Sequence, residues 1–224
     1  MPALPSAVRK SSRLPAKRPG PEGGPRDRNR RANLQRLCDA GLELFLSEGT
    51  AAVTIDQIVT RAGMAKGNFY RYVADKAELV ASIMEPVTTD VTAALDHCGH
   101  ALRRARPDQI ASIYLQLATD LSTAVARHSS RVLLYLQEAR APAGSTRGAI
   151  HALADQLTAR AIALTEIARD HGLIRDVDPR ISALSVVGSV EAILFTYLRG
   201  HVLTGPVPKV IAELVEIILR GIRT

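Results

Sequence analysis

The sequence predicts an all-α fold, and three observations carry that reading. Apolar residues recur at three- and four-residue spacing almost without interruption from residue 28 to the end. Helix-start signatures precede several of these stretches, and no stretch alternates polar and apolar as a half-buried strand would. The apolar supply is Leu, Ile, Val and Ala; aromatic residues make up 4% and Trp is absent, a composition suited to packed helices. At 224 residues the chain can bury a substantial core and accommodate a small domain beside a larger one.

The elements follow in order. Residues 1–26 contain six prolines and three glycines and no sustained apolar period, so they read as a flexible arm that buries too little surface to offset ordering. From Arg28 a helix begins whose stripe is Leu34, Leu37, Cys38, Gly41 and Phe45, ending near Gly49. Thr54 and Gln57 have the spacing of a capping box, with Val53 and Ile58 as the flanking hydrophobic staple; Asp75 and Glu78, flanked by Val73 and Leu79, repeat it. Between them the spacing predicts a short helix over 55–62, a turn at Gly63 and Met64, and a second short helix over 66–72. Two short helices joined by a tight Gly-containing turn form a helix-turn-helix pattern.

Beyond Lys76 the stripe Val80, Ile83, Val87, Val91, Leu95 continues, with Pro86 read as a kink or break. Helices are then expected from Pro107, over 132–138, over 149–169, from Asp178 to near Gly200, and over 208–220. Asp178 and Pro179 supply a cap and a first-turn proline. The last two helices are apolar on more than one face, which points to a core position or a partner interface.

Charge is distributed unevenly. Residues 1–36 hold ten Arg or Lys against Glu22 and Asp27, whereas residues 77–224 carry equal numbers of each sign. The excess positive charge at one end suits a polyanion, nucleic acid before an acidic membrane. Two cysteines make no disulfide framework, the basic N-terminus has no apolar segment behind it, and no run of about 18 uncharged apolar residues occurs. The expectation is a cytoplasmic protein that does not engage a membrane.

A helix entering the major groove needs short or polar side chains toward the base edges and charged or hydroxyl groups toward phosphates. Residues 64–72, Met-Ala-Lys-Gly-Asn-Phe-Tyr-Arg-Tyr, have that character. Asn68 suits an adenine edge, Gly67 allows close approach, and Lys66, Tyr70 and Arg71 reach toward phosphates or bases. Phe69 is assigned to the core, as are Tyr72, Val73 and Leu79; Tyr70 is open between core and DNA. Thr54 caps its helix and has a hydroxyl to offer a phosphate. Arg28, Arg30, Arg31 and Lys76 complete the expected DNA-binding set.

These residues carry a resemblance. The stretch TIDQIVTRAGMAKGNFYRYVADKAEL, residues 54–79, resembles the helix-turn-helix of the TetR family of bacterial transcriptional regulators. Thr54, Ala62, Gly63, Lys66, Gly67, Tyr70, Tyr72, Lys76 and Leu79 match the family pattern, and strong resemblance covers residues 30–80. The resemblance implies a homodimeric repressor on a palindromic operator, with an effector pocket in the larger domain and the last two helices as dimer interface. It implies Thr54 and Tyr70 at phosphates and Lys66, Gly67 and Asn68 at or near bases. One departure is Ala65, where the family usually has Ser or Thr as the recognition-helix cap. On this reading residues 1–26 are a basic arm, 27–76 the helix-turn-helix domain and 77–224 the effector-binding and dimerisation domain.

For the effector, Tyr114, His128, Tyr135, His151 and Glu191 are the candidate pocket residues, with an apolar or moderately polar metabolite preferred. Glu191 stands out because it lies inside an apolar stretch and needs a partner if buried. His97 and His100 flank Cys98, but zinc needs further ligands and no second cluster is suitably spaced, so neither a metal nor a cofactor is expected. No catalytic motif of the common hydrolase, nucleotide-binding or zinc-protease kinds occurs, so the chain does not read as an enzyme. The competing reading is a helical DNA-binding protein whose large domain binds a protein partner or no effector. A cavity in the large domain discriminates between them.

Overall fold

The computed structural model describes residues 24–201 and 207–222, so nearly all of the proposed arm lies outside the described residues. The architecture is all-α. Helix α1 (Pro25–Glu48) starts three residues earlier than the apolar period implies, because Pro25 at its first turn has no N–H to lose and the Gly24 carbonyl accepts from Arg28 N–H. It ends at Gly49, whose φ of 82° lies in the left-handed region and whose N–H closes on the Phe45 carbonyl.

Helices α2 (Ile55–Arg61) and α3 (Lys66–Phe69) form the helix-turn-helix, and α4 (Lys76–Leu102) leaves it for the larger part of the chain. The α2 cap is as expected: Gln57 N–H donates to Thr54 Oγ1 at 3.3 Å and Thr54 N–H to Gln57 Oε1 at 2.8 Å. At α4, Glu78 N–H donates to Asp75 Oδ1, but the reciprocal bond comes from Ala74 N–H rather than from Asp75. The recognition segment differs more. Only four residues are α-helical, and Tyr70, Arg71 and Tyr72 continue as turns.

Pro86 does not break α4, which runs through it. Ile83, Met84 and Val87 are 0–2% exposed, so tertiary burial on both sides outweighs the roughly 3 kcal/mol a mid-helix proline costs. Arg131 Nε donates to the Ile83 carbonyl at 2.9 Å, adding a side-chain partner beside the interrupted ladder. Then follow a 3-10 turn at Pro107–Gln109, α5 (Ile110–Arg127), α6 (Ser129–Glu138), a 3-10 turn at Ser145–Arg147, α7 (Gly148–Asp170), α8 (Pro179–Leu198) and α9 (Val207–Ile222). Asp178 caps α8, accepting from Arg180 and Ile181 N–H.

Helix α4 packs on α1, α5 and α7 and belongs to both cores. The first core joins Leu37, Phe45, Ile58, Phe69 and Leu79 to Leu134 and Tyr135 of α6 and Ile150 of α7. The second gathers Leu95, Leu102, Ile110, Leu164, Leu173 and Leu219. The small unit and the larger one therefore share one core across residue 76. Helix α8 is the exception to burial: Ala183 is its one fully buried residue, and Ile181 and Leu184 are 65% and 58% exposed.

The expectation that no run of about 18 uncharged apolar residues occurs stands, although one helix comes near it. By length and composition α8 is apolar enough to cross a membrane, with mean hydropathy 1.7, although Arg180 and Glu191 interrupt it. Cys38 and Cys98 are buried among apolar side chains, and loss of hydration pushes their thiols up to about 11 and about 12.

Candidate nucleic-acid interface and internal cavity

Three contacts fix the recognition segment on α2. Gly63 turns the chain at φ 64°, a conformation that side-chain-bearing residues rarely adopt, and Arg36 of α1 donates from Nη2 to the neighbouring Ala62 carbonyl at 2.7 Å. Lys66 Nζ meets the Asp56 carboxylate at 2.8 Å, bringing the start of α3 against the start of α2. Phe69, fully buried, anchors the segment to the shared core, with the Tyr70 ring edge-on to it at 5.4 Å. Ala65 makes no side-chain cap; Met64 beside it is half-buried against the core.

The remaining side chains of this segment face outward. Lys66, Gly67, Tyr70 and Arg71 are exposed and Asn68 is half-buried. Tyr70, which the sequence left between core and surface, is 55% exposed. Nothing lies within 4 Å of a Cβ built on Gly67, so no protein neighbour demands glycine and the surface there is open to another molecule. Tyr72 is only partly core: it packs at the edge, its hydroxyl accepting from Asn33 Nδ2 at 3.0 Å.

Several expected DNA-binding cations already have protein partners. The hydrogen bond to Asp56 raises the Lys66 ammonium above its ordinary pKa. Lys76 Nζ donates to the Ala51 and Val53 carbonyls, and burial followed by nearby Arg147 lowers its pKa. Lys76 thus holds the loop that presents Thr54. Arg31 pairs with Asp27 one turn away at 2.9 Å, and Arg28 and Arg30 lie exposed on the same first turns of α1.

In the larger part of the chain, α4, α5, α7, α8 and α9 line a cavity of about 210 Å³ that is partly open to solvent. Its wall is almost wholly aliphatic, and its polar members among the described residues are Tyr114, Thr165, Ser182 and Glu191. Thr165 spends its hydroxyl on the Ala161 carbonyl. Burial raises the Tyr114 phenol well above its ordinary pKa, so it stays a neutral donor. Glu191 supplies the carboxylate of the wall: Oε1 accepts from the Tyr135 hydroxyl at 2.5 Å and Oε2 from Arg140 at 3.0 Å.

Of the five expected pocket residues, the cavity wall takes Tyr114 and Glu191. Tyr135 stands behind Glu191. His128 is held at the α5–α6 junction, its Nε2 3.0 Å from Asp90 Oδ2, a contact that pulls the Asp90 carboxyl below its ordinary range. His151, on α7, is also outside the wall. Local spacing did not separate these five, because the cavity is defined by how α8 and α9 lie over α4, α5 and α7.

No local pattern announces the buried ion pair that lies beneath the helix-turn-helix. Glu138, at the end of α6 and 5% exposed, accepts Thr50 N–H on Oε1 at 2.8 Å and Arg147 Nε on Oε2 at 2.5 Å. Burial alone raises its pKa, but the Arg147 and Thr50 hydrogen bonds prevail and hold it below the ordinary carboxylate range. Thr50 and Glu138 are 88 residues apart, beyond the reach of helical spacing.

Residues 37–83 match the family described as bacterial regulatory proteins, tetR family. The HTH-type transcriptional regulator SrpR of Pseudomonas putida is 34% identical over 62 residues, which is 26% of this chain and 29% of SrpR. The HTH-type transcriptional regulator TtgW, also of Pseudomonas putida, is likewise 34% identical over 62 residues, spanning 46% of its length. The chain thus spans less than half of either curated relative. Similarity to solved structures extends much further along the chain. SmeT, the repressor of the Stenotrophomonas maltophilia multidrug efflux pump SmeDEF, superposes with a TM-score of 0.65 at 20% identity, over 88% of this chain and 93% of SmeT. The regulator FadR from Bacillus subtilis, solved with stearoyl-CoA, gives 0.64 at 15% identity, over 84% and 99%.

Proposed function

We propose, from the match of residues 37–83 to the tetR family of bacterial regulatory proteins, that the protein is a one-component transcriptional repressor. It binds a palindromic DNA operator as a homodimer and is released by a small molecule in the internal cavity. The observation that carries the DNA side is the outward set Lys66, Gly67, Asn68, Tyr70 and Arg71 over a single buried anchor, Phe69. Thr54 and Tyr70 meet phosphates, and Lys66, Gly67 and Asn68 face base edges. Lys66 exchanges Asp56 for DNA as it binds. Lys76, Arg28, Arg30 and Arg31 supply positive charge at the margins, Lys76 mainly by fixing the Thr54 loop.

An operator selected from a random duplex pool tests this reading. Asn68→Ala weakens binding to that operator by about 1–3 kcal/mol and flattens discrimination among its variants, as loss of a bidentate base contact does. Arg71→Ala weakens specific and non-specific duplexes alike. Unchanged variant preferences in a folded Asn68→Ala protein remove Asn68 from the base-reading set.

The cavity favours a small-molecule sensor over a domain that only docks a protein. An aliphatic wall with four polar members suits a ligand with an apolar body. FadR from Bacillus subtilis was solved with stearoyl-CoA, whose acyl chain is such an apolar body.

Dimerisation rests on α8 and α9. Ile181, Leu184 and Tyr197 of α8 and Ile217 of α9 are 65%, 58%, 44% and 69% exposed, an apolar surface that a second copy covers by two-fold symmetry. Sedimentation at micromolar concentration gives about twice the 24.1 kDa chain mass, and Leu184→Asp shifts it toward one chain. A wild-type monomer under those conditions overturns the proposed dimer.

A further inference from the structure

Helix α6 is pinned on two sides by charged or hydroxyl groups, and the pins face different parts of the molecule. On one side Tyr135 and Arg140, just past the helix end, hold Glu191 in the cavity wall. On the other, Glu138 holds the backbone N–H of Thr50, the residue after the α1 terminator Gly49 and four before the α2 cap Thr54. Tyr135 and Glu138 are three residues apart on one helix, so both pins move if α6 rotates or shifts. Both residues are 5% exposed, where a polar group that loses its partner has no water to replace it.

We propose that the Glu191–Tyr135 hydrogen bond is the contact through which the cavity reports its occupancy. A ligand with an aliphatic body and an N–H or O–H donor at one end takes Glu191 from Tyr135, and α6 carries that loss to the Glu138 hold on Thr50. This rests on the reading of the cavity as an effector site. Glu191 is the recognition group, and Tyr135 and Glu138 are positioning residues. The donor requirement follows from Glu191 itself: a carboxylate accepts hydrogen bonds without donating them, so a ligand competes with the Tyr135 hydroxyl for it only through an N–H or O–H. The Thr50 loop responds because Glu138 and Lys76 hold its backbone from opposite partners, at Thr50 N–H and at the Ala51 and Val53 carbonyls.

Hydrogen exchange on the full chain, followed in peptides covering residues 46–53, tests the proposal without knowledge of the natural ligand. Tyr135→Phe removes the hydroxyl that Glu191 accepts and raises exchange there about tenfold, as local opening becomes easier. Leu173→Ala, in the second core, lowers thermal stability but leaves that peptide at its wild-type rate. In wild type, n-octylamine reproduces the Tyr135→Phe pattern and adds nothing in the Tyr135→Phe protein. n-Octanoate at pH 8, with the same body and no donor, leaves the peptide unchanged.

Wild-type exchange in Tyr135→Phe overturns the proposal, as does an equal rise in Leu173→Ala or an equal response to the two octyl probes. Duplex binding is measured separately on the same proteins. Exchange coupling without any duplex binding sinks the repressor reading and leaves the α6 link standing; operator binding without the coupling sinks the link alone.

Discussion

Phe69→Ala abolishes operator binding, with at least a hundredfold loss of affinity at temperatures where the larger part of the chain remains helical. The recognition helix has four residues and no side-chain cap at Ala65, far below the length at which a helix is stable by itself. Its geometry is therefore imposed by packing, and Phe69 is the α3 side chain buried in the core. Truncating a fully buried Phe costs about 3–5 kcal/mol. That is a large share of the roughly 5–15 kcal/mol by which a domain is stable. The thermal midpoint falls as well, because the core under Phe69 is shared with α6 and α7. Phe69→Leu, which refills most of the volume, restores binding. An alanine protein that still binds its operator with wild-type affinity would show that α3 is held by Lys66–Asp56 and the Gly63 turn instead.

Deletion of residues 1–23 keeps α1 whole and keeps operator preference, but it lowers affinity about tenfold to a hundredfold near 0.1 M salt. The segment carries Arg9, Lys10, Arg13, Lys17 and Arg18 against Glu22. Each phosphate that one of these neutralises releases about 0.9 of a counterion, so the slope of log affinity against log salt becomes shallower by about 2–4. The proposed homodimer brings ten such groups, and the figure stays below their sum because not every one of them meets a phosphate. Base changes flanking the half-sites discriminate the two modes of arm binding: they matter to the full chain only if arginines follow the minor groove. Equal affinity and equal salt slope for the two proteins would make the arm a passive tail.

The helix-turn-helix was legible because its determinants are local. Thr54 and Gln57 are three residues apart, Val53 and Ile58 five, and Gly49 and Gly63 mark two of the four places among the described residues where the backbone turns left-handed. Such pairs are set by helix geometry, which a sequence displays directly. Even there, the reciprocal bond at α4 goes to Ala74 instead of Asp75, a shift of one residue that depends on how the chain enters the helix. Phe69 was correctly given to the core as the large apolar residue among polar neighbours, whereas the exposure of Tyr70 was settled by where its ring came to rest.

By itself, then, the sequence determined the helical class, the positions of the caps and turns, the outward chemistry of Lys66, Asn68 and Arg71 and the concentration of positive charge at one end. Each follows from spacing or composition over a few residues. Only the tertiary structure decided that α4 passes through Pro86, that Lys66 and Lys76 are already engaged, and that Tyr114 and Glu191 face the cavity while His128 and His151 do not. It alone joined Glu138 to Thr50 across 88 residues and Tyr135 to Glu191 across 56. The physical reason is that a buried charge or hydroxyl must find a partner wherever packing leaves it. That partner is chosen by the three-dimensional arrangement of helices, since hydrogen bonds act over about 3 Å of space whatever the separation along the chain.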